Sequence, residues 1–234
     1  MKQSFLTFPN LPDQFPLGTD SVLLAAFASL RSGASVFDLG AGCGTLGMLL
    51  GASHPDCHID GIELQPRAVA AAQEIIRQNG MEGRVSVVEG DLRQLDLLPA
   101  KKYDAVVSNP PYFSVGSGAQ AASASQALCR TELCCTLEEL SRAASRLLRS
   151  GGSFFLVHRP ERLCDLMVIL RAFLLEPKRM RLVRNRPGAP PSLVLLESRK
   201  DGKCGLSIGP DLLLHGEDGA ESREYRQIYH LGGT

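Results

Sequence analysis

The chain has 234 residues, 44% of them apolar, with 25 Lys or Arg against 25 Asp or Glu, which is enough material for one generous globular domain and its core. Its net charge of zero argues against bulk coating of nucleic acid, though not against a local basic face. Seven cysteines, at 43, 57, 129, 134, 135, 164 and 204, form no Cys-x-x-Cys pair, and no His-Glu-x-x-His or other metal spacing occurs, so reduced thiols and no metal are expected. The start, Met1-Lys2-Gln3-Ser4-Phe5, lacks a signal-peptide core, and no apolar run approaches a membrane span; no membrane association and a cytoplasmic location are the expectations. Nothing in the sequence marks an oligomeric state.

Residues 1–33 read as an N-terminal helical extension, in which Thr19 or Asp20 caps a helix able to lie over a ligand cleft. Residues 34–200 read as the main domain and 201–234 as a tail packed on it. Within the domain, strand and helix signals alternate: strand 34–39, helix 45–53, strand 57–63, helix 66–79, strand 85–90, a short helical or loop piece 92–98, and strand 103–108. After a loop rich in Gly, Ser and Ala over 114–126, read as a substrate loop or a passive linker, come helix 130–149, strand 152–158, helix 160–173 and strands 178–185 and 191–198. Helices between strands predict right-handed parallel crossovers and a doubly wound α/β sheet with helices on both faces. The loop from Arg186 to Pro191 is too short for a crossover helix, so the last strands should pair antiparallel.

Successive strands end on groups fit to hold a ligand. The first breaks at Asp38-Leu39-Gly40-Ala41-Gly42-Cys43-Gly44 into a helix; glycines let a ligand lie against the backbone, and the helix N-terminus adds partial positive charge. Gly42-x-Gly44-x-x-Gly47 also satisfies a dinucleotide pattern, with Glu63 about twenty residues on. Against a nicotinamide site stand Asp38, which suits an ammonium better than a pyrophosphate, and the lack of a dehydrogenase's second half. The second strand ends at Glu63, placed to accept from both hydroxyls of a ribose, with Leu64 beside it. At the third, Asp91 can accept from an adenine amino group and Leu92 can pack on the ring. Each acid alone reads equally as a loop residue or helix cap. Ordered 38, 63, 91, 109 at the crevice edge of a parallel sheet, they make a nucleoside site.

The fourth strand runs into Asn109-Pro110-Pro111-Tyr112. An amine on a purine or an acyl carbon has a delocalised lone pair, and an enzyme alkylating it must draw the nitrogen towards sp³ geometry. Acceptors do that: the Asn109 side-chain oxygen and the Pro110 carbonyl can each take one N–H, Pro110 and Pro111 fix the backbone, and Tyr112 offers a stacking face. Taken alone, Asn-Pro-Pro also reads as a strand stop.

The pattern Asp-x-Gly-x-Gly-x-Gly over Asp38 to Gly44 resembles the first motif of class I methyltransferases dependent on S-adenosylmethionine (SAM). With Gly18-Thr19-Asp20, Asn109-Pro110-Pro111-Tyr112-Phe113, Arg130-Thr131-Glu132 and His158-Arg159-Pro160-Glu161-Arg162, the chain from about residue 5 to about residue 200 resembles the bacterial tRNA1(Val) adenine-N6 methyltransferase family, which modifies the purine just 3′ of the anticodon. The resemblance implies a Rossmann-like, seven-stranded class I sheet, mostly parallel with an antiparallel C-terminal hairpin. It implies SAM as cofactor, held by Thr19, Asp38, Gly40, Gly42, Gly44, Glu63, Leu64, Asp91, Leu92 and Asn109, and a tRNA substrate contacted by Phe113, Arg130, His158 and Arg159.

The expected reaction is direct in-line methyl transfer to an unpaired exocyclic amine held at Asn109 and Pro110, with no nucleophilic residue and no metal. Around it, Arg179, Arg181 and Arg184 lie in a basic stretch that could track an RNA backbone or could protect an edge strand from aggregation. Rival readings are a glutamine-N5 methyltransferase of release factors, for whose helical recognition domain residues 1–33 leave little room, a DNA adenine methyltransferase, and a SAM-binding RNA module without turnover.

Overall fold

The computed structural model describes residues 6–8, 18–110 and 135–232. In chain order the elements are α1 (Thr19–Phe27), β1 (Ser35–Leu39), α2 (Thr45–Ser53), β2 (His58–Glu63), α3 (Pro66–Gln78), β3 (Val85–Glu89) and β4 (Tyr103–Ser108). They continue as α4 (Leu137–Leu147), β5 (Leu148–His158), α5 (Leu163–Ala172), β6 (Leu175–Arg184), β7 (Pro191–Lys200), β8 (Ser207–Ile208), β9 (Leu212–Leu213) and α6 (Arg223–Gly232).

All the strands join one sheet in the order β3-β2-β1-β4-β5-β7-β6-β8, with β9 also on β6. Pairing is parallel except at β7, which runs antiparallel to both β5 and β6. The expected hairpin is therefore present, and the reversed element in it is β7 alone.

The central strands β1 and β4 and the second half of β5 read as nearly continuous apolar runs because both faces are covered. Phe155 and Val157 point into a cluster with α1, α2, α3 and α6, while Phe154 and Leu156 point into one with α4 and α5. The period of two sorts neighbours on β1 the same way, Val36 to the first cluster and Phe37 to the second. Hydrophobic burial on both sides is the main force holding the strand ends in register.

Three expectations need correction. Among the described residues the sheet has nine strands rather than seven, because the tail returns along β6 as β8 and β9 and satisfies backbone groups that would otherwise be open, Gly209 N–H reaching Met180 O at 2.9 Å and Leu214 N–H reaching Arg184 O at 2.9 Å. Strand β6 is consequently interior, which removes the edge-protection account of its arginines. The helix expected over 130–149 starts at Leu137: Thr136 accepts from Glu139 N–H at 3.2 Å and Glu139 accepts from Thr136 N–H at 2.8 Å, a capping box that fixes the first turn. Its end moves too, because Leu148 already pairs with Tyr103 in the sheet. Among the described residues, no helix is long and apolar enough to cross a membrane.

Candidate active site

Parallel pairing brings the C-terminal ends of β3, β2, β1 and β4 side by side, and the polar residues picked out in the sequence follow those ends. After Leu39 the chain turns sharply, with Gly40 and Ala41 N–H both bonded to Ile62 O at 3.0 and 2.9 Å. Gly42 has φ 55°, and a Cβ there would meet nothing within 4 Å, so its exposed edge is open to a ligand. Gly44, at φ 76°, caps α2 in the left-handed region, and a Cβ would come within 3.2 Å of the Ala72 Cβ. Gly40 likewise faces open space.

Two acids frame this loop. Asp38 is 2% exposed, its Oδ2 finds no hydrogen-bond donor among the described residues, and only the Gly47 N–H is set against its charge. Burial first, then the neighbouring charge of Glu63, push its carboxyl up to about 7. A buried acid with an orphaned oxygen lacks a cation. Glu63 accepts from Gly42 N–H through Oε2 and from Gln65 N–H through Oε1, both at 2.9 Å. It therefore braces the glycine loop, while a carboxylate's roughly four lone-pair sites leave capacity for hydroxyl donors.

Farther along the crevice, Leu64, just past the end of β2, is 38% exposed and offers an apolar surface. Leu92 is partly buried against the α4–α5 cluster. Asp91 is gripped by Arg93, whose Nε lies 2.9 and 3.0 Å from the two carboxylate oxygens and whose Nη2 lies 2.6 Å from Oδ2. That grip holds its carboxyl below the usual range.

At the fourth strand end, Ser108 is fully buried and donates to Leu39 O at 2.7 Å, tying the end of β4 to the end of β1. The next residue, Asn109, donates through Nδ2 to Ser21 Oγ on α1 at 2.9 Å. Helix α1 is itself held at both ends. Thr19 Oγ1 lies 3.4 Å from the Tyr229 hydroxyl of α6, and Arg179 donates to Phe27 O at 2.7 Å while its guanidinium sits 4.0 Å over the Phe27 ring. Neither Ser21 nor Ser108 was singled out in the sequence; a serine beside a motif carries no signal of a partner on another element.

The remaining candidates divide sharply. Pro110 follows Asn109 at the strand end and is half-buried. Pro111, Tyr112, Phe113 and Arg130 lie outside the described residues. His158 is buried at the end of β5, two residues past Leu156, which pairs with Ser108; it is thus level with Pro110 one strand away. Its Nδ1 accepts from Arg159 N–H at 2.8 Å, which leaves the proton of the neutral ring on Nε2. Arg159 donates through Nη1 to Ser192 O at 3.1 Å.

Along β6 the expected RNA-tracking arginines have partners in the chain: Arg179 with Glu197 at 2.9 Å, Arg181 with both oxygens of Glu224 at 2.7 and 3.1 Å, and Arg184 with Asp211. The structure thus brings Asp38, the glycines, Glu63, Leu64, Asp91, Leu92 and Asn109 to the strand-end edge, sets Thr19 against Tyr229 of α6, and leaves these arginines on internal duty.

A SAM-shaped ligand fits the donor set. Asp38 lacks a cation, the glycine edge is open, Glu63 presents a carboxylate, and Leu64 presents an apolar face. Residues 13–174 match the family model of the methyltransferase small domain. The chain is 31% identical over 216 residues to the tRNA1(Val) (adenine(37)-N6)-methyltransferase of Aeromonas salmonicida, covering 92% of this chain and 88% of that one. It is 31% identical over 221 residues to the protein of that name from Porphyromonas gingivalis, covering 91% and 86%. In fold it is similar to the crystal structure of a predicted O-methyltransferase from Agrobacterium tumefaciens, with TM-score 0.75, 21% identity and 92% and 97% coverage. It is also similar to a geranyl diphosphate C-methyltransferase from Streptomyces coelicolor solved with S-adenosyl-L-homocysteine, with TM-score 0.56, 12% identity and 77% and 76% coverage.

Proposed function

This chain belongs to the tRNA1(Val) (adenine(37)-N6)-methyltransferase family, and from that premise we propose that it methylates the N6 amine of adenine 37, the purine just 3′ of the anticodon, in a tRNA. It is a SAM-dependent methyltransferase. The observation that carries the finer reading is the placement of Asn109: at the end of β4, tied through Ser108 to the end of β1 and the glycine loop, with its amide nitrogen bonded to Ser21.

When bound, SAM supplies a methyl group already activated on sulfonium. The chain's own residues then do the positioning. Asp38 holds the ammonium, Glu63 the ribose diol, Asp91 the adenine amino group, and Leu64 and Leu92 flank that ring. Asn109 Oδ1 and the Pro110 carbonyl accept the two N–H groups of the target amine and favour its pyramidal form, in which the lone pair is available for in-line attack. Once alkylated, the amine sheds a proton to water without a dedicated base. The target base must be unpaired and splayed, which suits an anticodon loop, and Tyr112 and Phe113 supply stacking and apolar contact.

Incubation with labelled SAM and separate pools of tRNA, ribosomal RNA, DNA and protein, followed by nucleoside mass spectrometry, tests this. N6-methyladenosine in tRNA is expected. Label confined to a protein glutamine or to DNA would overturn it.

A further inference from the structure

We propose that Arg93 is a positioning residue for the cofactor: by holding the Asp91 carboxylate in its guanidinium fork, it makes the adenine end of the crevice accept an amino purine and refuse an oxo purine. The inference rests on the reading of Asp91 as the acceptor for the cofactor's amino group. Adenine presents N–H donors on its exocyclic group, whereas hypoxanthine presents a carbonyl oxygen at the same place. A group able only to accept tells the two apart, because the wrong partner leaves an acceptor facing an acceptor.

The contact between Arg93 and Asp91 has one polarity. A guanidinium donates and an ionised carboxylate accepts, with no second arrangement open to either. Asp91 Oδ1 takes the Arg93 backbone N–H and Nε–H, each at 2.9 Å, while Oδ2 takes Nη2–H at 2.6 Å and shares Nε–H at 3.0 Å. These donors fill most of the carboxylate's roughly four lone-pair sites and leave about one for an incoming N–H. The Asp91 side chain keeps 16% of its surface exposed, so that site is reachable from outside.

The backbone around it is fixed as well. Gly90 N–H donates to Glu63 O at 3.0 Å, Gln94 N–H donates to Asp91 O at 3.0 Å, and Leu92 is packed against the cluster under α4 and α5. Carboxylate and chain are therefore set before a ligand arrives, and little ordering is left for binding to accomplish. A purine lying on Asp91 would strip water from it and favour the protonated form. The Arg93 charge opposes that and keeps the group an acceptor.

The test measures, by calorimetry on the full chain, the affinities of S-adenosylhomocysteine and S-inosylhomocysteine, which carry an amino and an oxo purine. The proteins are the parent, Arg93→Ala, Arg93→Lys, Asp91→Asn and the Asp91→Asn/Arg93→Ala double variant. The parent should favour the adenosyl ligand about 10- to 100-fold, the scale of one hydrogen bond to a charged group. Arg93→Ala should cut that preference about 5-fold or more through weaker adenosyl binding, with inosyl affinity little changed. A merely structural loss would weaken both ligands alike and leave the ratio at the parent's value. Arg93→Lys, which keeps the charge but not the fork, should fall between parent and Arg93→Ala. Asp91→Asn can turn its NH2 towards an oxo group and should nearly abolish the preference, and in that background Arg93→Ala should move the ratio no further, because Arg93 acts through the carboxylate. Parent-level preference in Arg93→Ala, or a lysine as selective as the arginine, would overturn the proposal while leaving the Asp91 and N6 readings intact. A parent without preference, or undiminished preference in Asp91→Asn, would instead remove the reading of Asp91, and the role of Arg93 with it.

Discussion

At the ends of β1 and β2, Asp38 keeps an oxygen without a donor among the described residues and Glu63 spends its oxygens on backbone N–H groups, whereas along β6 Arg179, Arg181 and Arg184 each close on an acid of the same chain. In sequence both regions look like charge waiting for a ligand. The difference lies in what neutralises the charge. Along β6 the fold supplies the counter-ion and the residues are fasteners; at Asp38 it withholds one from a buried acid, which is where we propose the ligand's ammonium sits, and Asp91, paired with Arg93, stands between the two.

The largest expected effect is that of Asn109→Ala, which removes the acceptor we propose for the target amine. The chemical step should fall by roughly 10²–10³-fold, the usual effect of deleting one preorganised polar group, with much smaller change in SAM affinity. Rapid-quench single turnovers measure it. Next is Glu63→Ala, which should weaken SAM binding by about 1–3 kcal/mol in calorimetry, through the lost charge-assisted acceptor and the loosened loop at Gly42. Glu63→Gln should recover part of that, because its amide oxygen can still take one of the two backbone N–H groups. Unchanged affinity in Glu63→Ala would show the acid to be a fastener like those on β6.

Asp38 gives a pH signature of known sign. Its folded pKa is raised from 3.8 to about 7, so the folded protein binds that proton more tightly than the unfolded chain. The stability this contributes is full below about 3.8 and is lost as pH rises through about 7. Urea melts of the parent should therefore lose about 1 kcal/mol between pH 6 and 8 relative to Asp38→Asn. A ligand ammonium beside Asp38 would expel the proton, so SAM binding near pH 6.5 should release protons, seen as a buffer-dependent calorimetric heat. No difference between buffers would detach Asp38 from the ammonium.

The smallest expected effect belongs to β6. Arg181→Ala breaks a bidentate pair whose glutamate is 47% exposed, so after screening it should cost at most about 1 kcal/mol of stability in urea melts. Because the charge is already spent, the salt dependence of tRNA binding should barely change. A slope reduced by about one per arginine neutralised at 179, 181 and 184, with stability intact, would break the contrast and return these residues to the RNA interface.

Much of the molecule was legible because its signals are local. The strands announce themselves as apolar runs, the glycine loop as a pattern, and Asp38, Glu63 and Asn109 by their position at strand ends. What escaped is long-range. Glu224 and Asp211 stand far along the chain from the arginines they neutralise, so β6 read as an open basic stretch and an edge. The tail strands Ser207–Ile208 and Leu212–Leu213 are too short for any periodicity to show. Ser21 and Ser108 matter only through Asn109 and Leu39, partners that no pattern around either serine names. The start of α4 is a different case: Thr136-Leu137-Glu138-Glu139 is a capping box written in the sequence, a start signal masked by helix-compatible residues upstream of it.

The fastening of α1 also has a bearing on how the protein is made. Thr19 emerges early from the ribosome, but the Tyr229 hydroxyl beside it belongs to a residue 210 positions later, so at about 5–20 residues per second the wait is roughly 10–40 s. Arg179, at the other end of the helix, arrives late as well, 152 positions after Phe27. A nascent chain should therefore have its glycine loop well before α1 gains these two contacts, and catalytic competence should come last in translation. Ribosome-stalled chains carrying the sheet but lacking residues 223–232 should retain SAM in a filter assay yet methylate tRNA poorly. Full turnover by such stalled chains would show that α1 settles without its distant partner.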